Sequence, residues 1–90
     1  MRRVEIVVRG QVQGVCFRMF AQRQASALGL TGWVMNIGDG SVKILAEGND
    51  VAVAEFIEWC GEGSPYANVS GVDSTVLLGG AEFSGFVIRY

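Results

Sequence analysis

Gly10-Gln11-Val12-Gln13-Gly14-Val15-Cys16-Phe17-Arg18 is the stretch of this 90-residue chain whose residue types and spacing suit chemistry. A run rich in Val and Ile, Val4 to Arg9, enters it with the alternation of a strand, and a helical pattern leaves it. Backbone amides in such a turn fan into the first turn of the helix, which is how anion sites are built. None of Gly14, Val15 and Cys16 is the Ser, Thr, Asp or Asn that normally caps a helix, so its orphan N–H groups are left for another acceptor. Arg18, one step in, adds a planar fork of donors that matches two phosphate oxygens. The spacing alone equally fits a plain connection with a solvated Arg18. It is not a P-loop, because no Gly-Lys-Ser/Thr follows, and Gly10, Gly14 and Gly29 lack the dinucleotide-binding spacing.

Two further residues carry chemistry. Asn36 ends a strand at a hairpin, where Asn is common turn chemistry; beside the Arg18 loop its amide gains a second use, holding a water next to a bound phosphate. Cys16 lies at a helix N-terminus, a setting that activates thiols. Thiol phosphatases, however, wrap the phosphate with a loop between Cys and Arg, and here only Phe17 separates Cys16 from Arg18.

The elements that must position these residues are legible from periodicity. Val4, Ile6 and Val8 alternate with Glu5, Val7 and Arg9. Phe17, Phe20, Ala21, Ala25 and Leu28 recur at helical spacing with Gln22, Arg23 and Ser26 turned outward, and Gly29 stops the helix. Thr31 to Asn36 and Val42 to Glu47 flank a hairpin turn, Ile37-Gly38-Asp39-Gly40-Ser41. Asn49 reads as an N-cap for a second helix with Val53, Phe56, Ile57 and Cys60 on one face, ended by Gly61, Gly63 and Pro65. Val69 to Leu77 and Phe83 to Tyr90 are two further strands around Gly79-Gly80. This order predicts an α+β fold, a ferredoxin-like α/β sandwich (βαββαβ plus a C-terminal strand). Right-handed crossovers place two antiparallel helices on one face of a mostly antiparallel sheet. The open face should show Glu5, Arg9, Lys43 and Glu47.

Composition bounds the function. Ninety residues, half of them apolar, make one domain over 1–90 with a single core. Seven Lys and Arg against nine Asp and Glu give a net charge of -2, which argues against a broad nucleic-acid footprint. The charge is unevenly spread, with six Lys and Arg against two acids in residues 1–43 and one Arg against seven acids in 44–90. Trp33, Trp59, Phe83 and Phe86 suggest a base-stacking surface only if they leave the core, and no aromatic-basic signature accompanies them. The complete absence of His removes the commonest metal ligand and the commonest general base, so no metal is expected. Met1-Arg2-Arg3 leads into an alternating strand, with neither a signal peptide nor a membrane span visible, and the cytoplasm is the expected compartment. Antiparallel helices would bring the ends carrying Cys16 and Cys60 together. A disulfide needs their Cα atoms within about 7 Å, and the expectation in the cytoplasm is two reduced thiols with Cys60 filling the core.

Taken together, the chain resembles the acylphosphatase family. The resemblance runs from Val12-Gln13-Gly14-Val15-Cys16-Phe17-Arg18 through Leu28-Gly29-Leu30-Thr31-Gly32-Trp33-Val34-Met35-Asn36. It continues with Asp39-Gly40-Ser41-Val42, the Gly63-to-Val69 region and the closing Phe86-Val87-Ile88-Arg89-Tyr90. It implies a hydrolase of the carboxyl-phosphate bond of acyl phosphates, without metal or organic cofactor, acting on a small substrate with inorganic phosphate or sulfate as product-like ligand; a monomer is the expected state. It also implies that Arg18 binds phosphate and Asn36 orients the attacking water. The family's cradle would fall on the backbone of Gly10, Gln13, Gly14, Val15 and Cys16. Ser64 and Asn68 stand where relatives often have a proline and a basic residue.

Few groups suffice for that reaction. A carboxylate leaving group, with a pKa of about 4, departs without a general acid. Positioning and charge stabilisation then dominate, and amides plus a guanidinium supply both.

Overall fold

Alternation of Val4, Ile6 and Val8 builds the first strand, β1 (Arg2–Gln11), longer at both ends than the apolar run because its flanks also find partners. Arg2 and Arg3 pair with Gly48 and Glu47, and Gly10 and Gln11 with Val69 and Asn68. The computed structural model describes residues 1–79 and 83–90. After β1 come α1 (Phe17–Ala27), β2 (Thr31–Asn36), β3 (Val42–Gly48), α2 (Asp50–Glu62), β4 (Asn68–Leu77) and β5 (Phe86–Arg89). The sheet order is β4-β1-β3-β2-β5, antiparallel except that β2 and β5 run parallel. Both helical crossovers therefore skip one strand, the split βαβ arrangement expected.

Each helix owes its bounds to local chemistry. Asn49 caps α2, its Oδ1 accepting from the Val51 N–H at 2.8 Å, and Asp50 sits in the first turn where a negative charge suits the dipole. The helix continues through Gly61, which the sequence places at its end, and stops at Gly63 (φ 74°), whose N–H donates to Trp59 O. Phe17, Ala21 and Ala25 from α1 and Val53, Phe56 and Cys60 from α2 close over Ile6, Val8, Val34, Val42 and Ile44 in one core. Phe17 opens α1 yet its ring lies 5.5 Å from Trp59 near the end of α2, so the helices are antiparallel. Phe56 stacks on Trp59 and meets Phe86 edge-on, each at 5.9 Å. Trp59 and Phe86 are thus committed to the interior, and Trp33 carries the Arg89 guanidinium over its ring at 4.8 Å.

Three expectations are corrected. Gln22 turns inward, because α1 lies over the far edge of the sheet, and its Nε2 donates to Phe86 O at 3.0 Å. Glu47 points to the open face but is 1% exposed, since its antiparallel neighbour Arg3 folds over it at 2.6 Å. The last strand is shorter than the run Phe83 to Tyr90, because the ladder with β2 extends only from Gly32↔Phe86 to Met35↔Arg89. Gly80 of the expected Gly79-Gly80 turn lies outside the described residues. On the same open face Lys43 Nζ approaches Glu5 at 3.8 Å and exposed Arg9 pairs with Asp73, as expected of a solvated surface. Both cysteines are free, Cys16 exposed and Cys60 buried, and burial pushes the Cys60 thiol up to about 12.

Candidate active site

The turn between β1 and α1 is irregular from Val12 onward. Cys16 adopts left-handed values (φ 62°, ψ 21°), the non-glycine residue with positive φ among the described residues. Its carbonyl accepts the first helical bond, from the Phe20 N–H at 3.2 Å, while no side chain caps the helix and no acid stands in its first turn. The first amides of α1 therefore present a partial positive charge to whatever faces them.

What faces them is a cleft of about 180 Å³ in which Gly14, Cys16, Arg18 and Asn36 meet Met19, Ile88 and Tyr90. Arg18 is held from the far edge: its Nη1 donates to Arg89 O at 3.2 Å, and its guanidinium lies 4.7 Å from the Tyr90 ring centre. Only one of its five N–H groups is used by that carbonyl bond, so the fork can still grip an anion. Asn36 ends β2 with a buried Oδ1 that has no hydrogen-bond partner among the described residues. A buried acceptor left unsatisfied is costly, and Asn36 is among the residues that line the cleft.

A second connection ties this hairpin to the turn. Gln13 Nε2 donates to Ile37 O at 2.7 Å and to Ser41 O at 2.9 Å, just beyond Asn36. The hairpin closes on itself through Ile37 N–H to Ser41 O at 2.8 Å, and Asp39 Oδ1 accepts from both the N–H and the hydroxyl of Ser41 at 2.9 and 2.5 Å. That hydroxyl bond, with the amide bond behind it, holds the Asp39 carboxyl below its ordinary value.

Of the residues expected from sequence to form the site, Arg18, Asn36, Gly14 and Cys16 are brought together in the cleft. Gln13 contributes through its side chain, and Val15 turns its carbonyl away to Ser64. Gly10 stands apart: it pairs with Val69 at a register break in β1 with φ 124°, where a Cβ would lie 2.2 Å from Asn68 O. Its glycine is explained by that close approach. Sequence reasoning did not single out Met19, Ile88 and Tyr90 as walls of the cleft. Met19 follows Arg18 on α1, while Ile88 and Tyr90 arrive through the parallel pairing of β5 on β2, a contact between distant segments that no local pattern announces.

The molecule thus belongs to the class of ferredoxin-like α/β sandwiches, with an uncapped helix start in the turn between the first strand and first helix. The sequence model of the Acylphosphatase family matches residues 4–88, and the chain belongs to that family. The acylphosphatase of Shewanella amazonensis is 58% identical over 73 residues, covering 81% of this chain and 80% of that one. The acylphosphatase of Methylococcus capsulatus is 46% identical over 88 residues, covering 98% and 96%. The crystal structure of acylphosphatase from Bacillus subtilis superposes with a TM-score of 0.96 at 41% identity, covering the whole of both chains.

Proposed function

We propose that the chain hydrolyses acyl phosphates, capturing the phosphoryl group on the amides around Gly14 to Cys16 and on the Arg18 guanidinium. Water oriented by the Asn36 amide attacks phosphorus. The bond from phosphorus to the acyl oxygen breaks, its electron pair leaves on the carboxylate, and the proton lost by water passes to a phosphoryl oxygen. No general acid is required, because the leaving carboxylate has a pKa of about 4. Donors fixed before the reaction stabilise the charge spreading over the equatorial oxygens. The reading extends to a single domain over residues 1–90, a monomer in the cytoplasm, with inorganic phosphate as a product-like ligand.

The observation that supports it best is that Asn36, whose Oδ1 has no hydrogen-bond partner among the described residues, lines one cleft with Arg18 and the uncapped helix start. The purified chain should release phosphate from acetyl phosphate with EDTA present, competitively inhibited by inorganic phosphate. Asn36→Ala should keep that inhibition and lose about two orders of magnitude or more in turnover, the range seen for lost positioning. Hydrolysis no faster than the spontaneous rate overturns the activity; surviving turnover in Asn36→Ala overturns the role of the amide.

A further inference from the structure

Ser64 is 2% exposed, and nothing in the proposed reaction uses it. It stands two residues beyond α2, and its hydroxyl reaches back 49 residues to donate to Val15 O at 2.7 Å. A trans peptide is planar, with its C=O and N–H on opposite sides. Pinning Val15 O on Ser64 therefore sets the direction of the Cys16 N–H, away from Ser64. Cys16 is a wall of the cleft and Ser64 is not.

Two observations show that this turn needs holding. Left-handed geometry at Cys16 is disfavoured for a residue with a Cβ, and such geometry persists only where the surroundings impose it. The same exit loop presses on the other side of Cys16 as well. Gly63, at φ 74°, lies so near Phe17 that a Cβ there would stand 2.9 Å from the ring, and the Ala67 N–H donates to Ser64 O at 3.0 Å, closing the turn that presents the hydroxyl. The segment after α2 thus holds the peptide before the strained residue and packs against the ring of the residue after it.

We infer that Ser64 is a positioning residue for the phosphate site, aiming the Cys16 amide at the anion by fixing the Val15 carbonyl; this rests on the cleft's being a phosphate site. The test uses the full chain with Ser64→Ala, and Ser64→Cys as a variant of similar size with a weaker donor. The readouts are kcat, KM, the inhibition constant of inorganic phosphate, and the ¹⁵N–¹H shift of the Cys16 amide on phosphate titration. Ser64→Ala should weaken phosphate by about tenfold, less than the hundredfold or more that follows outright loss of such a donor. Its Cys16 amide should answer phosphate weakly, and Ser64→Cys should fall between. A hydroxyl that served stability alone would lower Tm and leave the inhibition constant and the amide response unmoved, and that result in either folded variant overturns the inference. Should Ser64→Ala fail to fold, Ser64→Cys and the unmodified chain decide: a Cys16 amide indifferent to phosphate while the Gly14 and Arg18 amides shift is equally fatal. Phosphate shifting no amide of the cleft, together with absent turnover, instead overturns the functional reading itself.

Discussion

Arg18 shows how one side chain is prepared by its surroundings. The Arg89 carbonyl at the end of β5 and the ring of Tyr90 just beyond it hold it, while its backbone N–H belongs to the uncapped first turn of α1. Lysine at this position is a point charge on a flexible stem and reproduces neither the stacking on Tyr90 nor a two-oxygen grip. Arg18→Lys should lose phosphate affinity and turnover together, by about a hundredfold if the fork supplies what one preorganised donor typically does. Its melting temperature should change little, because the half-exposed side chain makes one long backbone bond. Steady-state kinetics with phosphate as inhibitor checks this, and normal constants in the folded variant would refute the role of the guanidinium. Cys60 illustrates the opposite fate. Burial alone raises its thiol to about 12, so it stays protonated and serves as packing.

At the scale of elements, the turn after β1 and the β2–β3 hairpin come from separate stretches of chain and are joined by Gln13. Its amide occupies two carbonyls of the hairpin, and so sets where Asn36 stands relative to Arg18. Gln13→Ala should lower kcat by more than it weakens phosphate inhibition, because Asn36 loosens while the Arg18 side of the cleft keeps its own supports. The loss of two half-buried hydrogen bonds should cost about 1–3 kcal/mol of stability. Comparing kcat, the phosphate constant and the urea midpoint for this variant checks both expectations, and a larger fall in phosphate affinity than in kcat would contradict them. The hairpin tip has a pH dependence of its own. Asp39 is held below its ordinary 3.8 by the Ser41 hydroxyl, so its contribution is present above that value and lost only as acid carries it through the lowered one. Around neutrality the tip should therefore be insensitive to pH.

For the whole molecule, the two skipping crossovers place β1 and β3 at the centre, and the cleft forms at one end of the sheet while Arg3 and Glu47 pair at the other. Glu47 is 1% exposed and bonded to Arg3, and a hydrogen bond between charged groups contributes about 1.5–3 kcal/mol. Glu47→Ala should accordingly lower Tm by about 6 °C or more for a chain of this size. Its phosphate inhibition constant, measured well below that Tm, should match the parent protein, because the pair and the cleft lie at opposite ends of β1. A folded variant with unchanged Tm would show the pair to be energetically idle.

The residues themselves determined the element order, the Asn49 cap, the hairpin bounded by Asn36 and Val42, and the likeness of the Gly14-to-Arg18 turn to a phosphate cradle. These follow from local physics: apolar periodicity, capping geometry and the backbone preferences of Gly and Asn act over a few neighbouring positions. Tertiary structure alone decided that Glu47 is covered, that Gln22 and Gln13 are spent on distant carbonyls, that Gly10 answers to β4, and that Ser64 reaches Val15. Each of those facts joins segments far apart in the chain. A polar side chain reads as solvated in sequence until the fold delivers the one acceptor or charge that makes its burial favourable.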